Sequence, residues 1–143
     1  MASEMDFPAR GKVTGIKDGR VVFNPANTNY ELHLDVPGGK YDGPVNGLID
    51  CYIRATARKV YSVPSGGNFI TPIFGPPKIV QGRVRYASER LVVIQAGCPV
   101  IVALPADANA IDLNNGPFGA GSMVNAVCLP GATFELAAQP AMK

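Results

Sequence analysis

Five short stretches occur twice along this chain, in the same order in each half, and that order constrains the fold more than any single motif. GKVTGI at 11–16 is matched by GRVRYA at 82–87, and GRVVF at 19–23 by ERLVVI at 89–94. YELHLDVP at 30–37 is matched by VIVALP at 100–105. GPVNGLIDCYI at 43–53 corresponds to GPFGAGSMVNAV at 116–127, and KVYSV at 59–63 to TFELA at 133–137. Segments rich in Gly and Val resemble one another by chance, but chance does not preserve their sequence order. The offset of about 70 residues is too long for a solenoid repeat and suits two copies of one small domain.

Within each copy the elements read as strands. KVTGI and RVVF flank a Lys17-Asp18-Gly19 turn, a hairpin signal. In YELHLDV, alternation puts Tyr30, Leu32, Leu34 and Val36 on one face and Glu31, His33 and Asp35 on the other. In LIDCYIRATA, Ile49, Cys51, Ile53 and Ala55 face a core, and Asp50, Tyr52, Arg54 and Thr56 face water. The second copy offers RLVVI, CPVIVAL, SMVNAVCL and, after Pro130-Gly131, TFELA. No helical stripe exceeds about a turn; ADANAIDL at 106–113 has room for one. The 16 Gly and 13 Pro agree with short strands joined by tight turns. The expected fold is all-β: two tandem small β-barrels of about five strands each, related by duplication. Their expected limits are an N-terminal arm at 1–10, a first barrel at 11–65, a join at 66–78, a second barrel at 79–138 and a tail at 139–143.

The join, GGNFITPIFGPP, departs from the polar composition that linkers usually have. It carries Phe69, Ile70, Ile73 and Phe74 among prolines that hold it extended. These side chains either form the seam between the barrels or dock on another subunit. Phe118, in the glycine-rich NNGPFGAGSM, is a second aromatic at a loop tip.

Charge is distributed unevenly. Residues 1–80 hold nine basic and seven acidic side chains, whereas 91–142 contain no Lys or Arg and only Asp107, Asp112 and Glu135 as acids. A soluble surface is commonly about 25–35% charged, so much of the second half is covered or dressed in neutral polar groups. Net charge is +2, too small by itself to announce a nucleic-acid partner. Arg54, Arg58 and Lys59 nevertheless cluster beside Tyr52 and Tyr61, and Arg83 and Arg85 precede Tyr86. These five cations are the candidate contacts of a nucleic-acid-binding face.

Signs of catalysis are weak. His33 is the sole histidine, and a strand face shared with Glu31 and Asp35 is the ordinary place for a solvated polar residue. Alternation places Cys51 on the opposite face from His33, so the two make a poor nucleophile–base pair. Three cysteines, Cys51, Cys98 and Cys128, are odd in number and widely spaced, which favours buried free thiols in a reducing compartment. No phosphate-binding glycine loop is found. The N-terminus shows no signal-peptide pattern, and no apolar run approaches a membrane span.

The expected role is therefore non-enzymatic and needs no cofactor or metal. The chain reads as a cytoplasmic or particle-borne structural protein that associates with itself or with other subunits of a symmetric assembly, such as a virion, tail or shell. Phe69, Ile70, Ile73, Phe74 and Phe118 are its expected interface anchors. Nucleic-acid binding through the basic face of the first barrel is the alternative.

Overall fold

The computed structural model describes residues 3–64, 66–106, 111–112 and 119–137. Twelve strands are found among them, with one 3-10 turn, η1 (Glu4–Asp6), and no α-helix. The strands are β1 (Ala9–Lys17), β2 (Arg20–Pro25), β3 (Glu31–Leu34), β4 (Ile49–Ser62), β5 (Phe69–Thr71) and β6 (Phe74–Gly75). They continue as β7 (Ile79–Ala87), β8 (Leu91–Gln95), β9 (Pro99–Ala103), β10 (Ile111–Asp112), β11 (Met123–Cys128) and β12 (Thr133–Leu136). Of the stretch read as a helical turn, 111–112 form β10, and 107–110 and 113 lie outside the described residues.

The turn between β1 and β2 follows from its sequence. Asp18 and Gly19 both have positive φ, 53° and 79°, between the paired Lys17 and Arg20. An Asp-Gly pair adopts this two-residue geometry at low cost, and its twist matches that of the flanking strands.

Five strands close a barrel. β7, β8 and β9 form an antiparallel meander; β9 then runs parallel to β4, β4 antiparallel to β11, and β11 antiparallel to β7. One of its five staves, β4, comes from the first half of the chain. The remaining strands attach around it. β1, β2 and β3 form a second meander, with β1 paired to Ile49, Asp50 and Cys51 of β4. On the other side of β4, residues 51–54 pair with β12. β3 and β12 meet only at the Asp35–Thr133 bridge, supported by hydrogen bonds from Asp35 N to Ala132 O and from Phe134 N to Asp35 O. One closed barrel thus stands where two were expected. TFELA, read as a strand of the second barrel, lies instead against the N-terminal part of β4.

Length explains this arrangement. LIDCYIRATA and KVYSV, read as separate segments, are one strand of 14 residues. A strand that long outruns any single partner, and β1, β9, β10, β11 and β12 each pair with only part of it. Its buried positions run Ile49, Cys51, Ile53, Ala55 and Ala57, then shift phase to Val60. The shift falls where Val127 pairs with Lys59 but Cys128 with Ala57, leaving Arg58 as the extra residue of a bulge. Past that point the same strand offers its alternate side chains to the core.

The two meanders share fine detail. Gly11 in β1 and Gly82 in β7 each have a neighbouring strand's carbonyl where a Cβ would stand: Asn24 O at 2.2 Å and Gln95 O at 2.0 Å. Each hairpin then breaks register, between Val13 and Gly15 in one and between Val84 and Tyr86 in the other. Glycine and bulge keep the same spacing in both, as the matched segments GKVTGI and GRVRYA require.

A single buried cluster draws on both halves, with Phe23, Leu32 and Leu34 beside Val84, Ile94 and Phe134. Phe134 of β12 packs on Phe23 with centroids 5.8 Å apart and receives Tyr41 edge-on at 5.5 Å. A smaller cluster lies on the outside of the barrel, where Tyr52, Val93 and Ile101 are buried against Phe7, Tyr86 and Leu91. Tyr52 was expected in water but is only 8% exposed, because the N-terminal arm lies over it.

Candidate functional site

The join bridges the two meanders through its backbone. β5 pairs with the start of β7, and β6 runs parallel to β3. Between them the Thr71–Pro72 peptide is cis. Gln81 Nε2 donates to Gly67 O, and Asn125 Nδ2 donates to Gln81 Oε1 within the buried region, anchoring the join to β7 and β11. Ile70 is 1% exposed and its N–H donates to the Tyr30 hydroxyl; Phe69 is half-buried. Ile73 and Phe74 are 45% and 63% exposed. Phe118 lies outside the described residues. The four described apolar candidates are therefore divided: one is core, one is partly covered, and two adjacent ones face water, Ile73 just before β6 and Phe74 within it, at the end of the sheet path.

Beyond β6 the chain enters a shallow groove of about 390 Å³ floored by Pro77, Ile79, Val127 and Cys128 and edged by Arg58 and Lys78. Leu129, next to it in sequence, is also exposed. The bulge in β4 is what turns Arg58 to this rim. Lys59 lies beside it in sequence, with its ammonium 5.8 Å from the Tyr61 ring centre.

Arg54 and Arg85 belong to a different surface. Register places Tyr86, Val93, Ile101, Arg54 and Thr133 in one row across β7, β8, β9, β4 and β12. Tyr52 stands two residues from Arg54 on the same face, opposite Glu135. Across this row lies the arm. Ser3 caps η1, its hydroxyl accepting from Met5 N while Asp6 accepts from Ser3 N. Tyr52 donates its hydroxyl proton to Met5 O at 2.7 Å. Arg54 lies 3.8 Å from a Glu4 carboxylate oxygen and 3.6 Å from one of Glu135. Phe7 has its ring centre 6.2 Å from that of Tyr86, with the Arg85 guanidinium carbon 5.2 Å from it. Arg85, the bulge residue of β7, also donates to Gln95 Oε1, and Arg83 donates to Gly121 O. The five basic candidates thus separate into an arm-covered pair (Arg54 and Arg85), a neighbour (Arg83), and the Arg58–Lys59 bulge. The row of tyrosines beneath the arm escapes a strand-by-strand reading; the SEMD capping pattern and the aromatic after it were its only local signals.

The thiols are unsuited to nucleophilic work. Cys51, Cys98 and Cys128 are free and buried. Burial raises all three, pushing Cys98 up to about 12 and Cys128 up to about 11; for Cys51, neighbouring Cys98 and Asp50 add to the effect. A thiol at such values stays protonated at neutral pH. Tyr41 is raised as well, by burial first and then by Cys51 and Asp42. It acts as a neutral donor to Pro44 O. Among the described residues no three His, Cys, Asp or Glu side chains gather as a ligand set. No helix among them is long and apolar enough to cross a membrane.

In comparisons with known proteins, no family model matches the chain, and neither a curated protein nor a solved structure matches it.

Proposed function

We propose that the protein is a non-enzymatic structural subunit that associates with copies of itself. The observation that carries this reading is the exposure of Ile73 and Phe74, just before and at the start of β6, a two-residue strand with β3 on one edge. Large apolar side chains beside an unfilled strand edge are an association hazard in a monomer, and an interface is their ordinary use. Two side chains alone fall short of the roughly 1,200–2,000 Å² that a stable interface buries. The groove that follows directly in the chain, with Pro76, Pro77 and Ile79, supplies continuous apolar surface. The occupant of this face is a second copy of the same chain, and the assembly so formed is a symmetric ring or shell.

Light scattering at two protein concentrations and two salt levels tests the proposal. A defined oligomer that survives high salt is expected. Phe74→Asp should lower the mass while leaving the circular dichroism and the melting transition close to those of the parent. A monomer under all four conditions, or an unchanged mass in the variant, refutes it.

A further inference from the structure

The arm over the outer face of the barrel resembles a ligand more than a structural element. It belongs to no strand. Its contacts with the face described above are a hydrogen bond from Tyr52, one from Arg54 to the Met5 sulfur at 3.1 Å, an ion pair stretched to 3.8 Å, and the ring of Phe7 beside Tyr86 and Arg85. What it covers is chemically specific: two tyrosines, Tyr52 and Tyr86, on neighbouring parts of a rigid sheet, and two arginines, Arg54 and Arg85. The arm presents to them a carboxylate, Glu4, and a flat ring, Phe7. The ring lies near both a guanidinium and a phenol, groups that pair with any planar π system.

We infer that this face is a binding site for single-stranded nucleic acid, held closed by residues 3–8. An unpaired base takes the place of Phe7 beside Arg85 and Tyr86, where stacking needs no particular base edge. The phosphates follow Arg85 and Arg83, neither of which has an acidic partner among the described residues. Arg54 contributes less, because Glu135 faces it from β12 and stays when the arm leaves. A double helix is a poor fit, since its bases are stacked on one another and cannot enter the Phe7 position. The site does not depend on self-association, which uses other residues, Ile73, Phe74 and the groove that follows them.

The test is fluorescence anisotropy with a fluorescein-labelled oligothymidylate of about 20 nucleotides, at low and at moderate salt. The full-length chain carrying Phe7→Ala and Glu4→Gln should bind at least about tenfold more tightly than the parent, with affinity falling as salt rises. Adding Arg85→Ser to that variant should remove most of the gain, while Arg58→Ser should not. Equal affinity for parent and variant, or binding by neither, overturns the inference. A second measurement uses the unmodified chain and does not depend on the variant's folding. Excess oligothymidylate should accelerate cleavage after Glu4 by a glutamyl endopeptidase, because a displaced arm is exposed; unchanged cleavage overturns the inference equally.

Discussion

Gly82→Ala is a sharp test of how tightly β7 and β8 are built. A methyl group on residue 82 would stand 2.0 Å from Gln95 O and 2.7 Å from its carbonyl carbon. Both atoms are backbone, so no side chain can turn aside. Restoring ordinary contact at 3.4 Å requires the strands to part by about 1.4 Å, and a ladder bond stretched that far is lost. Losing two such bonds at about 1 kcal/mol each, together with repacking strain, gives a cost of about 3 kcal/mol. For a chain of this size that lowers the melting temperature by about 10 °C. Gly11→Ala meets Asn24 O at 2.2 Å in the equivalent hairpin and should cost a similar amount. Gly15→Ala is the control, since nothing lies within 4 Å of its added carbon; it should stay within about 0.5 kcal/mol of the parent. Urea titrations of the three variants supply the comparison. If Gly82→Ala loses less than about 1 kcal/mol, the close approach of these strands does not constrain the hairpin and the argument fails.

Two further predictions concern the core. Phe134→Ala removes the ring that joins β12 to Phe23 and Tyr41 and should cost about 3–5 kcal/mol by urea denaturation; a loss under 1 kcal/mol would mean that β12 contributes little to holding the fold. Stability should also fall in alkaline solution. The folded chain keeps the Cys98 and Cys128 protons up to about 12 and about 11, whereas unfolded thiols give theirs up from about pH 8.5. Stability is therefore intact below about pH 8 and declines above it, by roughly 1.4 kcal/mol per pH unit for each thiol. Cys98→Ala should flatten that decline when urea midpoints are compared between about pH 8.5 and 10.5, and an unchanged slope would refute the assignment.

Local features were legible where a residue's own neighbours decide them. Asp18-Gly19 specifies a turn whatever surrounds it, and the alternation of β3 and of the first part of β4 records which face is buried. Alternation says nothing about which strand lies alongside. That is why β12 was placed with the second half, although its partners are residues 51–54, and why β4 was divided at Arg58, where a bulge shifts the period without ending the strand. Tyr52 and Ile70 show a related limit. Tyr52 is buried by the arm, distant in sequence, and Ile70 is carried into the core by the join's pairing with β7, and neither the arm nor the join has a periodic signal of its own. Of the candidate sites, Ile73 and Phe74 faced water as a docking surface would need. Arg54 and Tyr86 share a row only because register across four strands aligns them.

The double pairing of β4 also bears on how the chain is made. A ribosome releases residues 49–62 before any of β7, β9 or β11 exists, so the outer part of β4 emerges with both edges open. β12, which covers its inner part and bridges to β3, follows every other described strand. Neither meander can be sealed while the other is unfinished. The barrel accordingly cannot close until β11 has been made, nor can the inner part of β4 be covered before β12. A stalled product ending near residue 65 would expose a long, two-edged strand, the form of polypeptide most prone to aggregate.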